Sequence, residues 1–155
     1  MNETTNNPNL MHACALRLGS YGVIIKGQSG SGKSTIALAL IEWAESINRS
    51  AALVSDDYVL LSRDEQTVIA TAPDTIKGLI EVRGAGVFRI EHQDKARIDL
   101  VVELEGKGER YPSSEGYEIL GIKLPFLRLP SLENANPITI CQAIEATLFK
   151  RAYKL

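Results

Sequence analysis

The run Val23-Ile24-Ile25-Lys26-Gly27-Gln28-Ser29-Gly30-Ser31-Gly32-Lys33-Ser34-Thr35-Ile36-Ala37-Leu38-Ala39-Leu40 decides how the rest of the chain is read. It opens as a short β-branched strand bounded by glycine. It closes as a stretch of helix formers, with Ile36, Leu40, Ala44 and Ile47 on one stripe. Between the two, Gly27 to Ser34 satisfies the pattern G-x-x-x-x-G-K-S in full. Glycines let a backbone wrap closely, so successive N–H groups converge on phosphate oxygens. The helix that follows offers its unpaired N–H groups and positive dipole end to the same anion. Lys33 suits the β- and γ-phosphate charge, and the Ser34 hydroxyl suits a Mg²⁺ site. A mere glycine turn shares this composition but needs neither a strand before it nor a helix after it. Gly27, Gln28, Ser29, Gly30, Ser31, Gly32, Lys33, Ser34 and Thr35 are therefore expected to hold the phosphates of a nucleoside triphosphate with Mg²⁺.

Outward from the loop, strand signals dominate. Met11 to Leu18 has strand-like spacing, and Ala51 to Val54 is a short apolar strand ending at Ser55-Asp56-Asp57. Tyr58 to Leu61 and Thr67 to Ala70 flank a polar turn at Arg63-Asp64-Glu65-Gln66, the pattern of a hairpin. Leu79 to Val82 leads through Arg83-Gly84-Ala85-Gly86 into Val87-Phe88-Arg89-Ile90. Further strands are expected at Ile98 to Leu104, Tyr117 to Leu120 and Ile122 to Leu129. The last element is a helix. Asn136 suits its cap, Pro137 suits its first turn, and Cys141, Ile144, Leu148 and Ala152 recur at helical spacing, with Lys150, Arg151 and Lys154 near its end. One helix after the glycine loop, about eighty residues of strand signals and a closing helix describe a β-rich α/β domain. Regular alternation of strand and helix, as in a doubly wound sheet, is absent.

Composition narrows the function. The 155 residues suit one domain, expected over 11–155 behind a flexible polar tail at 1–10. Seventeen basic against nineteen acidic residues, with no basic cluster, speak against nucleic acid as a partner. No apolar run is long enough to cross a membrane, and the N-terminus lacks the pattern of a secretory signal. Cys14 and Cys141 sit in apolar stretches, as buried free thiols do. With two histidines and no Cys-x-x-Cys, a structural zinc site has little to build on. A cytoplasmic protein is the expectation.

Two further groups bear on chemistry. Asp56 and Asp57 close a strand, where carboxylates can organise Mg²⁺ or accept a proton from an attacking hydroxyl. Asp-Asp also favours an ordinary solvated turn, and the loop upstream is what favours the functional reading. Glu81 and Arg83 alternate and so share a strand face, with Ile80 and Val82 turned towards a core. A surface ion pair would have the same spacing, so spacing alone leaves that pair open.

Together these motifs resemble the catalytic domain of bacterial HPr kinase/phosphorylase. The resemblance runs from His12 to about Leu129 through the glycine loop, the strand-end Asp-Asp and Glu81-Val82-Arg83-Gly84-Ala85-Gly86, in the family's order. It implies a domain similar to the nucleotide-binding core of phosphoenolpyruvate carboxykinase, without the family's usual N-terminal domain. It also implies a kinase that uses ATP and Mg²⁺ to phosphorylate a serine of the phosphocarrier protein HPr. Many members reverse the reaction by phosphorolysis, and homo-oligomers, often hexamers, are common. Carried over by position, Lys33 and its loop hold the triphosphate, and Ser34 and Glu81 bind Mg²⁺. One of Asp56 and Asp57 acts as base, with Asp57 slightly preferred and the spacing leaving the choice open. His12, Arg83 and Arg110 match the family's active-site histidine and arginines. Two departures stand out. Thr35 replaces a usually acidic residue, and Pro130-Ser131-Leu132-Glu133-Asn134-Ala135-Asn136 lacks the glycine and arginine of a segment tied to dephosphorylation. The second bears on phosphorolysis and on hexamer contacts more than on the kinase. A small-molecule kinase or NTPase, and a nucleotide-sensing module without chemistry, are the rival readings.

Overall fold

The computed structural model describes residues 9–153. The tail expected at 1–10 lies, up to residue 8, outside the described residues. Eleven strands, two helices and one 3₁₀ turn follow in the order β1 (Leu10–Leu18), β2 (Tyr21–Gly27), α1 (Lys33–Ser46), β3 (Ala51–Ser55), β4 (Tyr58–Asp64) and β5 (Thr67–Thr71). The 3₁₀ turn (Asp74–Ile76) comes next. Then come β6 (Leu79–Val82), β7 (Gly86–Arg89), β8 (Lys95–Leu104), β9 (Tyr117–Ile119), β10 (Ile122–Leu124), β11 (Phe126–Leu129) and α2 (Pro137–Phe149). This is the mixed, strand-rich α/β chain with two helices that the sequence predicts.

Seven strands form one sheet in the order β11-β8-β2-β1-β4-β5, with β3 paired to β1. Strand β5 also pairs with the first half of β8, so β8, β2, β1, β4 and β5 close on themselves. Alternation along these strands fills both faces. Ala13, Ala15, Ile24, Val59, Val68, Ala70 and Val101 point into the closed side, where small residues suit the tight curvature. Cys14, Leu16, Leu18, Val23, Ile25, Leu100 and Val102 point the other way, against the helices. Gly22 has no room for a side chain. A Cβ there would lie 1.9 Å from the Arg97 carbonyl oxygen, at the register shift where β2 meets β8.

Helix α1 buries Ile36, Leu40 and Ala44 completely, as the stripe predicts. Ile47 departs from it, because the helix ends at Ser46 and leaves Ile47 half exposed. Helix α2 begins as predicted, with the Asn136 side chain accepting from Thr139 N–H at 2.9 Å. It stops at Phe149, so Lys150, Arg151 and Ala152 lie beyond its last turn. The strand expected over 122–129 is two strands. Pro125 brings no N–H to a ladder, so β10 pairs back with β9 while β11 runs parallel to β8.

Strand direction positions the site. Strand β1 is antiparallel to both β2 and β3. Strands β2 and β3 therefore point the same way, and their carboxyl ends meet the beginning of β1 at one edge of the sheet. The glycine loop, Asp56-Asp57 and His12 converge there although no two of them are neighbours in sequence.

Candidate active site

The loop leaves β2 at Gly27 and turns on a Ser31 N–H bond to the Gln28 carbonyl at 3.0 Å. Gly32 sits at the cap of α1 with φ of 107°, a left-handed conformation that a β-carbon disfavours. No side chain caps this helix, in contrast to α2. Its first N–H groups are left for an anion. The Lys33 ammonium donates to the carbonyls of Gly27 at 2.9 Å and Gln28 at 3.1 Å, and the residue is almost wholly buried.

The Ser34 hydroxyl donates to Asp56 Oδ1 at 2.6 Å. The Cys14 thiol donates to the same oxygen at 2.9 Å, and Asp56 Oδ2 accepts from the Glu81 backbone N–H at 3.1 Å. Asp56 is thus a buried node that ties the loop, β1 and the β6–β7 hairpin together. Burial first, and then the Asp56 charge, pushes the Cys14 thiol far above its ordinary range. Cys141 is pushed up to about 11 by burial and by Glu145. Neither thiol is a nucleophile at neutral pH. A thiol-alkylating reagent is expected to leave both unmodified in the folded protein and to modify both in denaturant, as read by mass spectrometry. Rapid alkylation of Cys14 in the folded protein would contradict the packing around Asp56.

Asp57 behaves differently from its neighbour. Its φ of 72° is left-handed, a conformation uncommon outside glycine and tolerated best by Asn and Asp. The Asp57 carbonyl accepts from Ala13 N–H at 3.0 Å, which fixes the strained turn against β1. The carboxylate is then thrown outward, 62% exposed, with Oδ1 at 3.0 Å from His12 Nε2. Tyr58 lies beside the His12 ring at 5.1 Å between centroids. Residues held in sparsely populated backbone conformations cluster at functional sites.

A cleft of about 460 Å³ collects these groups. His12, Ser29, Gly30, Gly32, Lys33, Ser34, Thr35, Asp57, Glu81 and Arg83 all line it. Glu81 and Arg83 reach it from the end of β6 while Ile80 is fully buried behind them, as their alternation predicts. Ser31 and Asp56 are buried and do not line it, and Gly27 and Gln28 open into a neighbouring depression that His12 also lines. Arg110 is not brought to it. The loop that carries it is pinned along β11, with Glu109 N–H on the Arg128 carbonyl at 2.8 Å and Ser113 N–H on the Phe126 carbonyl at 3.1 Å. Arg110 lines a separate depression, its guanidinium 5.6 Å from the Tyr111 ring.

Three residues at the site escape a reading by motif. Cys14 shares a strand face with His12 by i, i+2 spacing, a usable signal that its apolar neighbourhood hides. Leu132 and Glu133 line the cleft from a segment nearly a hundred residues from the loop, and nothing local in the sequence announces them.

The donor set fits a Mg²⁺-bound polyphosphate. Among the described residues no cluster of three or more acidic, histidine or cysteine side chains could cage a metal. Mg²⁺ in nucleotide sites is instead held by one or two protein oxygens together with phosphates and water. Ser34, anchored on Asp56, and Glu81 at the cleft wall match that economy.

Residues 3–154 match the HPr serine kinase C-terminal domain family. The HPr kinase/phosphorylase of Caldicellulosiruptor bescii is 38% identical over 139 residues, covering 81% of this chain and 43% of the relative. That of Geobacillus thermodenitrificans is 34% identical over 146 residues, covering 85% and 45%. The chain thus spans less than half the length of these relatives. Among solved structures, the Hpr(Ser) kinase/phosphatase of Coxiella burnetii superposes with a TM-score of 0.70 at 25% identity, covering 91% of each chain. No helix of the described residues is long and apolar enough to cross a membrane.

Proposed function

The chain belongs to the HPr serine kinase C-terminal domain family, and on that premise we propose that it is an ATP- and Mg²⁺-dependent protein serine kinase acting on the phosphocarrier HPr. The observation that carries this reading is the cleft itself. An anion cradle with Lys33 and Ser34 and an exposed carboxylate, Asp57, with a histidine partner open into one space of about 460 Å³. A sensing module needs the cradle but not the Asp57–His12 pair.

The triphosphate lies against the loop N–H groups and the first turn of α1. Lys33 exchanges its carbonyl partners for phosphate oxygens, and Arg83 adds positive charge from the facing wall. Ser34, held by Asp56, and Glu81 hold Mg²⁺, which neutralises charge on the phosphates when bound. Asp57 Oδ1 accepts the proton of the acceptor serine hydroxyl, and His12 keeps that carboxylate aimed into the cleft. A serine hydroxyl ionises far above neutral pH, so this proton moves late, and alignment supplies most of the rate. The fold is read as similar to the nucleotide-binding core of phosphoenolpyruvate carboxykinase, and the working form as a homo-oligomer in the cytoplasm.

Incubation with γ-labelled ATP, Mg²⁺ and purified HPr tests the reading. Label on an HPr serine, lost in Lys33→Ala, is the expected result. Label released only as inorganic phosphate would favour an NTPase, and tight ATP binding with no turnover would favour a sensing module.

A further inference from the structure

We propose that Leu132 and Glu133 form the nucleoside wall of the cleft, with Leu132 carrying a face of the base and the Glu133 carboxylate accepting from the ribose hydroxyls. This deepens the kinase reading and rests on it only in taking the cleft as a nucleoside triphosphate site. Among the residues that line the cleft, Leu132 is the single aliphatic side chain, in a lining otherwise of glycine and polar groups. A polyphosphate has no use for an aliphatic surface, whereas a planar base does.

Leu132 is also fixed where a ligand on the loop would meet it. Its N–H donates to the Ser31 carbonyl at 3.0 Å. Its side chain fills the space left by Gly32, where a Cβ would lie 2.4 Å from Leu132 Cγ. The segment is braced on both sides, by Ser131 N–H on the Gly106 carbonyl at 3.0 Å and Asn134 N–H on the Ser131 carbonyl at 2.9 Å. It follows β11, which runs parallel to β8 as β8 does to β2. It therefore leaves the sheet at the same carboxyl edge as the loop.

Glu133 is the adjacent residue and opens into the same space. A carboxylate facing phosphates is repelled, while one facing a vicinal diol accepts two hydrogen bonds. Ribose is the part of a nucleoside triphosphate that offers that diol.

Calorimetric titration of the full chain with ATP, 2′,3′-dideoxy-ATP and inorganic tripolyphosphate, each with Mg²⁺, tests the assignment. Wild type is expected to bind ATP about tenfold more tightly than the dideoxy analogue, and Glu133→Ala to bring the two within about twofold. Leu132→Ala is expected to weaken both nucleotides about tenfold and to leave tripolyphosphate unchanged, with Leu132→Met restoring most of the loss. If Leu132→Ala weakens tripolyphosphate as much as ATP, the segment only braces the loop and the proposal falls. It falls equally if Glu133→Ala weakens ATP and the dideoxy analogue alike. Wild-type protein that binds tripolyphosphate but does not prefer ATP sinks the nucleoside wall alone. Protein that binds neither sinks the phosphate site with it.

Discussion

Asp57→Asn is expected to lower transfer of phosphate to HPr by about a hundred- to ten-thousandfold, the usual contribution of a general base. Nucleotide affinity should change by no more than about twofold, because Asp57 touches neither the loop nor Lys33. The variant also keeps its fold for a stated reason. Asparagine tolerates the left-handed backbone at φ 72° as well as aspartate does, so the turn between β3 and β4 is not strained further. Single-turnover transfer measured beside ATP titration separates the two effects. Transfer within about tenfold of wild type would remove Asp57 from the chemistry, since that is less than a base contributes. Because Asp57 Oδ1 is 3.0 Å from His12 Nε2, His12→Ala should give a smaller loss of the same kind, the carboxylate remaining but no longer held.

Asp56→Asn should act on both stability and catalysis. Three donors converge on this carboxylate: the Ser34 hydroxyl and Cys14 thiol on Oδ1, and the Glu81 N–H on Oδ2. An amide offers one oxygen and one NH₂ group. With the oxygen towards Ser34 and Cys14, its NH₂ meets the Glu81 N–H donor to donor. Flipped, its NH₂ meets the Ser34 hydroxyl, which can turn to accept, and the Cys14 thiol, whose S–H is left without an acceptor. Either way a buried donor loses its acceptor, at a cost of about 1–3 kcal/mol. A lowered thermal midpoint reads that cost. Transfer should also lose its Mg²⁺ response, because Ser34 and the Glu81 hairpin are no longer held at the cleft. An Asp56→Asn protein with wild-type midpoint and Mg²⁺ dependence would show that the three contacts are incidental.

The two aspartates show where a linear reading runs out. Adjacent and identical, they are equivalent in sequence, and spacing leaves their roles exchangeable. The structure separates them by burial and backbone. Asp56 ends inside a ring of donors, while the left-handed turn throws Asp57 into the open. Arg110 makes the opposite point. The family resemblance suggests it belongs with the site, yet hydrogen bonds from its loop to β11 hold it in another depression.

Element type was legible for the reason that it depends on local spacing. The β-branched run, the glycine loop, the helix stripe and the Asn136 cap each need only a few neighbouring residues to be recognised. The ends of elements were less so, since Ile47 and Lys150 fit the helical pattern but lie past the last turn that packing supports.

By itself, then, the order of residues determined a strand, a glycine loop and a helix, the strand-rich mixture around them, and which carboxylates are candidates for chemistry. Tertiary structure alone decided that β1 runs opposite to both β2 and β3, bringing His12, the loop and Asp57 to one edge. It also decided that Leu132, from the far end of the chain, would close over Gly32. Pairing direction and long-range closure are set by how apolar faces are buried together, a property of the whole fold that no single window of sequence carries.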